Sequence, residues 1–412
     1  MLVCVGVVDF RLSKGLCSLS EANSLYIKHV NIYLENEVIK NGHVLIEDGF
    51  IKAIYQQDEQ PKRFPSQFKI IEGGHRNLIP GFIDGHIHGA AGADVMDATE
   101  EALDTMASVL PKEGTTSFLA TTITQSPENI EKALKNVANY KDKMGQAEVL
   151  GVHLEGPFIE KSKKGAQPEQ YIMEPNVDVF NRWQALSGNN IKTVTMAPEH
   201  DMGGTFIKTL SQSGVNVSAG HTDIDFEGLK KAVSHGVRQL THLCNAMNGI
   251  HHREIGAVGG AFEIDELRAE LIADGIHVVP EMIQLIHRNM GSERLILITD
   301  AMRAKCLTPG DYELGGQPVK VTEDRAELEN GSLAGSILKL IDGAKQMLQL
   351  KNVTISDVVE MAAVNPAKQI NVFDRKGSIA HGKDADLLLV DDQLNIQYTI
   401  CRGRIVYEEE SK

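Results

Sequence analysis

The stretch Thr116-Ser-Phe-Leu-Ala-Thr121 is followed, after a short polar interval, by Ser126-Pro-Glu-Asn-Ile-Glu-Lys-Ala-Leu-Lys-Asn-Val137. The first part is short, apolar and rich in β-branched residues, which suits a buried strand. The second opens on Ser126, whose hydroxyl can accept from a first-turn N–H, and on Pro127, whose missing N–H costs nothing there. Ile130, Ala133, Leu134 and Val137 then fall on one face at helical spacing. Strand, loop and amphipathic helix together make one β/α unit.

Working outward, the same beat recurs. Strands are expected at 78–83, 116–121, 149–154, 193–196, 215–219, 239–243, 269–273 and 295–298. Pro280 opens a further helix carrying Ile283 and Ile286, and Gly291 closes it. Eight β/α units over roughly 250–300 residues match a (β/α)8 barrel, whose chemistry sits on the loops at the C-terminal strand ends. A doubly wound sheet is the competitor, but no Gly-x-Gly-x-x-Gly follows any of these strands.

The two ends read differently. Short alternating strands separated by Asn, Gly and Asp are expected at 25–31, 42–47 and 50–55, and again at 386–390 and 396–407. Neither end carries enough apolar surface to fold alone. The expected class is therefore α/β: a TIM-like barrel over 78–373, with a small β-sandwich domain assembled from 24–77 and 374–412. Residues 1–23 fit neither unit and are expected to be a frayed extension.

Of 412 residues, 41 are Lys or Arg and 56 are Asp or Glu, a formal net charge of −15. Such a surface repels polyanions, which excludes a nucleic-acid binder and disfavours anionic membranes. An anionic small substrate would need a dedicated positive site. No apolar run is long enough to span a bilayer, and the apolar start at 2–8 lacks the flanks of a signal peptide. Five scattered cysteines suit a reducing cytoplasm better than a disulfide framework.

Histidines and carboxylates cluster where barrel strands should end. His86 and His88 follow the first strand, and alternation in an extended chain puts both rings on one side. Glu155 ends the third, as a metal ligand or half of an ion pair. His153 shares its inward parity and reads as a hydrogen-bonded core histidine. His221 follows the fifth strand, and His242 lies within Gln239-Leu-Thr-His-Leu-Cys-Asn245, at the end of the sixth. Imidazole and carboxylate together form a mixed N/O donor set suited to zinc or another borderline divalent ion. Asp300 follows the eighth strand, either as a turn residue or as the base beside an activated water.

Seven blocks carry a resemblance: Pro80-Gly-Phe-Ile-Asp-Gly-His-Ile-His-Gly89, His153-Leu-Glu-Gly-Pro157, Ala197-Pro-Glu199, Ser218-Ala-Gly-His-Thr222, Thr241-His-Leu-Cys-Asn-Ala-Met247, Ala273-Asp-Gly-Ile-His277 and Ile298-Thr-Asp-Ala-Met302. The first and last resemble the amidohydrolase superfamily, and the inner ones its amino-sugar-phosphate deacetylases. The resemblance implies hydrolysis of an N-acetylated amino-sugar 6-phosphate by metal-bound hydroxide. Glu155, His221 and His242 would hold one divalent metal, zinc first, with Fe2+, Mn2+ and Co2+ as alternatives. His86 and His88 would offer a second position bridged by Glu155. Asp300 would be the general acid/base, and His277 would polarise the acetamide carbonyl. Asn245, the backbone of Ala246 and an Arg253 supplied across a homodimer interface would hold the phosphate, with Met302 a further substrate contact. Gln167 stands where part of the family has a sugar-contacting His. Alternative substrates are a cyclic amide, an N-acetyl amino acid or the galactosamine epimer. A non-catalytic sugar-phosphate sensor is the reading of another class, but neither Asp300 nor a candidate metal ligand is missing.

Overall fold

The computed structural model describes residues 24–409 apart from Ser66 and Met202; the extension expected at 1–23 lies outside them. Eight strands pair in parallel in chain order: Phe82–Ile87, Thr115–Thr122, Glu148–Glu155, Ile191–Met196, Asn216–Ala219, Val237–Leu240, Arg268–Ile272 and Leu295–Ile298. The first and last meet just beyond the eighth strand. Ile87 bridges Ala301 in parallel, the Asp300 N–H donates to the His86 carbonyl at 2.8 Å, and the His88 N–H to that of Ala301 at 2.9 Å. Barrel closure thus runs through residues of the candidate site.

The helices form for the local reasons read from the sequence. Ser126 Oγ accepts from the Asn129 N–H at 3.3 Å and caps Pro127–Asn139, which buries Ile130, Ala133, Leu134 and Val137. Pro280–Met290 ends at Gly291, whose φ of 71° a residue with a side chain rarely adopts.

The strand expected at 78–83 is in fact two. Asn77–Pro80 belongs to the other sheet, antiparallel to Leu387–Val390, and the barrel strand begins at Phe82. Between them Gly81 passes so close to Thr116 that a Cβ would overlap its side chain. Both segments are buried, so the apolar run continues across the break.

That other sheet joins the two chain ends. Its order is Arg404–Glu408, Ile396–Cys401, Leu387–Val390, Asn77–Pro80, Ser24–Tyr33, Val38–Glu47 and Phe50–Tyr55, with Lys69–Glu72 also pairing Ser24–Tyr33. Ile27, Ile32, Ile46, Leu387 and Ile400 share a core of its own. The expected stretch 396–407 is a hairpin turning at Arg402 and Gly403, both at positive φ. A buried charge cluster fastens the sheet to the barrel. Lys376, its side chain 1% exposed, pairs with Asp386, with Asp384 at 3.0 Å and with Glu148 at 2.8 Å. Arg375 clamps the same Glu148 and Asp384.

An antiparallel sheet of Gly310–Leu314, Gln317–Val321 and Ala326–Glu327, not expected from the sequence, follows the eighth barrel strand and packs on Ile123 and Met302. Among the described residues no helix is long and apolar enough to cross a membrane.

Candidate active site at the barrel mouth

Glu155, at the end of the third strand, is 2% exposed and forms the centre of the site. Its Oε1 lies 3.3 Å from His221 Nε2, 3.2 Å from His242 Nε2 and 3.4 Å from His86 Nε2. Its Oε2 lies 3.3 Å from His88 Nε2. Asp300 Oδ1 completes the arrangement, 3.4 Å from His86 Nε2 and 3.2 Å from His88 Nε2. His221, His242 and Asp300 all sit in left-handed backbone, with φ of 47°, 31° and 51°. Such conformations cost on the order of 1–3 kcal/mol each and persist where the surroundings over-determine them.

The far sides of the rings are anchored. His86 Nδ1 donates to Glu270 Oε2 at 2.9 Å, and His221 Nδ1 to the Lys163 carbonyl at 2.8 Å. Each anchor places the proton on Nδ1 and leaves the Nε2 lone pair facing Glu155. Sequence reasoning missed both partners. The signal for Glu270 was a glutamate inside the apolar run 269–273; for a carbonyl at Lys163 there is none.

The donors form two overlapping triplets, Glu155 with His221 and His242, and Glu155 with His86 and His88. His86 Nε2 is buried without a hydrogen-bond partner. Burial disfavours charge on every group, yet the facing imidazoles hold the Glu155 carboxyl well below its usual range and Asp300 at about 2. Conversely, despite burial, Glu155 and Asp300 lift His86 well above its ordinary value and His88 to about 9. The buried carboxylates thus require nearby positive charge. A divalent cation would meet that need with the imidazoles neutral, so the donor set fits such an ion.

His153 is a hydrogen-bonded core histidine. Its Nδ1 meets the Gly85 carbonyl at 3.0 Å and its Nε2 the Thr195 hydroxyl at 2.7 Å. Burial, then the charge of His86, push it down to about 4.

Above the cluster lies a cavity of about 530 Å³, walled by His88, Glu155, His221, His242 and Asp300 together with His277, Asn245, Ala246 and Gln167. His277 Nδ1 is fixed 2.6 Å from Asp274 Oδ2, a partner the sequence did not reveal. Lys161, Lys163 and Lys164 line the same cavity. Lys161 pairs with Glu169 and Lys163 with Asp223, each at 3.4 Å. Lys164 is half-buried, with no ion pair among the described residues.

Of three further expected substrate contacts, Met302, Arg253 and Gln167, one lines the cavity of its own chain. Met302 is fully buried behind the wall, against Ile123 and Leu314, because the unexpected three-stranded sheet covers it. Arg253 is exposed on a loop outside the cavity, its guanidinium 2.6 Å from His252 Nε2. Gln167 lines the cavity, but its carboxamide is engaged by Glu155 and Thr124.

Fold and site together define an α/β-barrel hydrolase whose centre suits a divalent ion. A family model described as amidohydrolase family matches residues 77–406, and one described as BsNagA composite domain matches 24–67. An N-acetylglucosamine-6-phosphate deacetylase of Bacillus subtilis (strain 168) is 48% identical over 94% of this chain and 98% of its own. The crystal structure of the deacetylase of that name from Pasteurella multocida superposes with a TM-score of 0.85 at 28% identity, covering 93% of this chain and 99% of the other. A mutant of the Mycobacterium smegmatis enzyme, in complex with N-acetyl-D-glucosamine-6-phosphate, superposes at 0.84 with 26% identity over 93% and 99%. The chain belongs to the amidohydrolase family and, within it, to the N-acetylglucosamine-6-phosphate deacetylases.

Proposed function

We propose that the chain hydrolyses N-acetyl-D-glucosamine 6-phosphate to D-glucosamine 6-phosphate and acetate. The observation that carries this is one cavity in which Glu155, the imidazoles of His88, His221 and His242, and Asp300 face a wall bearing His277, Asn245 and Ala246. Glu155, His221 and His242 would hold one divalent ion, zinc first and Fe2+, Mn2+ or Co2+ as alternatives, with His86 and His88 offering a second position. When bound there, such an ion would polarise the acyl oxygen and would bring the pKa of water to about 7.

Asp300 takes the proton from the attacking water and returns it to the amide nitrogen as the C–N bond breaks. Acetate and the free amine result. His277, whose Nδ1–H donates to Asp274, acts as the imidazolium and donates its Nε2–H to the acetamide oxygen, stabilising the charge that develops there. Asn245 and the Ala246 N–H bind the phosphate, and Lys164 adds positive charge to the same cavity. Because Arg253 is exposed and does not line the cavity of its own chain, its part in phosphate binding is supplied to the partner's site in a homodimer. The acidic chain and the unpaired Cys244, Cys306 and Cys401 support a cytoplasmic enzyme.

The test is acetate release from N-acetylglucosamine 6-phosphate, its unphosphorylated form and the galactosamine 6-phosphate epimer, with and without chelator. The first substrate is expected to lead and chelator to abolish turnover. Chelator-resistant turnover overturns the metal reading, and equal rates on the first two substrates overturn the phosphate clamp.

A further inference from the structure

We propose that Gln167 is a positioning residue that sets the orientation of Glu155, the carboxylate shared by both metal positions, and is not a sugar contact. The inference rests on the metal reading given above. Gln167 is 3% exposed. The Thr124 backbone N–H donates to its Oε1 at 2.7 Å, and its Nε2 donates to Glu155 Oε2 at 2.7 Å.

A backbone N–H can only donate, so the oxygen of the carboxamide must face Thr124. The amide orientation is then fixed, and the NH2 end is the one presented to Glu155. Thr124 lies just beyond the strand Thr115–Thr122, which ties this relay to the barrel wall. Gly156, next to Glu155, lets Thr124 approach, since a Cβ there would overlap its hydroxyl.

With Oε2 held in this way, Oε1 faces the Nε2 atoms of His221 and His242. The same segment that carries Gln167 also supplies the Lys163 carbonyl that orients His221. Residues 163–167 therefore aim two of the three donors of one triplet. Partners that orient metal ligands typically contribute about 10–100-fold in metal affinity.

The experiment compares wild type, Gln167→Ala and Gln167→Glu. Its readouts are the Zn2+ dissociation constant by chelator competition, the melting temperature of the metal-free protein, and KM for N-acetylglucosamine 6-phosphate at saturating metal. Gln167→Glu keeps the acceptor for Thr124 but turns an acceptor to Glu155, so it isolates the donor role. Both variants are expected to weaken Zn2+ binding by about 10–100-fold, with KM within about twofold of wild type. Unchanged Zn2+ affinity in both overturns the inference, and a raised KM alongside it returns Gln167 to the sugar. If Gln167→Ala lowers the melting temperature, the Zn2+ affinity of Gln167→Glu decides in the same two directions. Wild type that binds no divalent ion overturns the metal reading itself, a result distinct from variants that bind as wild type does.

Discussion

Asp300 follows the eighth strand at a φ of 51°, and its N–H reaches across to the His86 carbonyl. Its backbone is fixed by barrel closure, so replacing the carboxylate by an amide leaves geometry intact and removes only the proton acceptor. Asp300→Asn is expected to retain metal and substrate while kcat falls by about 10²–10⁴-fold; single-turnover acetate release measures this, and near-normal kcat removes Asp300 from proton transfer. Lys164→Ala is expected to raise KM for the 6-phosphate about tenfold, the loss of one charge-assisted contact. Its kcat/KM on unphosphorylated N-acetylglucosamine should not change, and equal losses on both substrates would make Lys164 structural. His86, His88, Glu155, His221, His242 and Asp300 were legible in the sequence because each stands at or just past an apolar strand end. Glu270 and Asp274 were not, because their work is contact with another side chain, here His86 and His277; a carboxylate inside the apolar run 269–273 marks Glu270 as unusual without naming its partner.

Among the elements, the apolar run at 78–83 hid a crossing between two sheets, since burial on either side of Gly81 is the same. Gly81→Ala is expected to force the Thr116 side chain and the strand Thr115–Thr122 to shift, costing about 1–3 kcal/mol. Thermal unfolding reads this as a lowered melting temperature; an unchanged one denies the close approach. The three-stranded sheet at 310–327 did leave a signal. Gly315-Gly316 separates Gly310–Leu314 from Gln317–Val321 as a two-residue hairpin turn, but the strands are short and half-exposed, so alternation was faint. The helices at Pro127–Asn139 and Pro280–Met290 were legible because caps, proline and apolar spacing agree within each segment.

For the whole molecule, the charge of −15 governs the outer field, while Lys161, Lys163 and Lys164 bring positive charge to the lining of the cavity. The joint between sheet and barrel gives a pH signature. Burial pushes the Glu148 carboxyl up, but Arg375 and Lys376 override it and hold the group at about 2 against an ordinary 4.5. A depressed folded-state value contributes stability above about pH 4.5 that is lost as pH falls toward 2, on the order of 3 kcal/mol. Glu148→Gln is therefore expected to melt below wild type at neutral pH, with the gap closing between pH 4.5 and 2; a constant gap would assign the loss to packing. The pairing of both chain ends in one sheet also has a consequence during synthesis. Asn77–Pro80 leaves the ribosome long before its partner Leu387–Val390. At about 5–20 residues per second, that interval is roughly 15–60 s. Throughout it the nascent chain carries an open strand edge, the kind of surface that recruits other chains. Arrival of the tail, and not collapse of the barrel, ends that exposure.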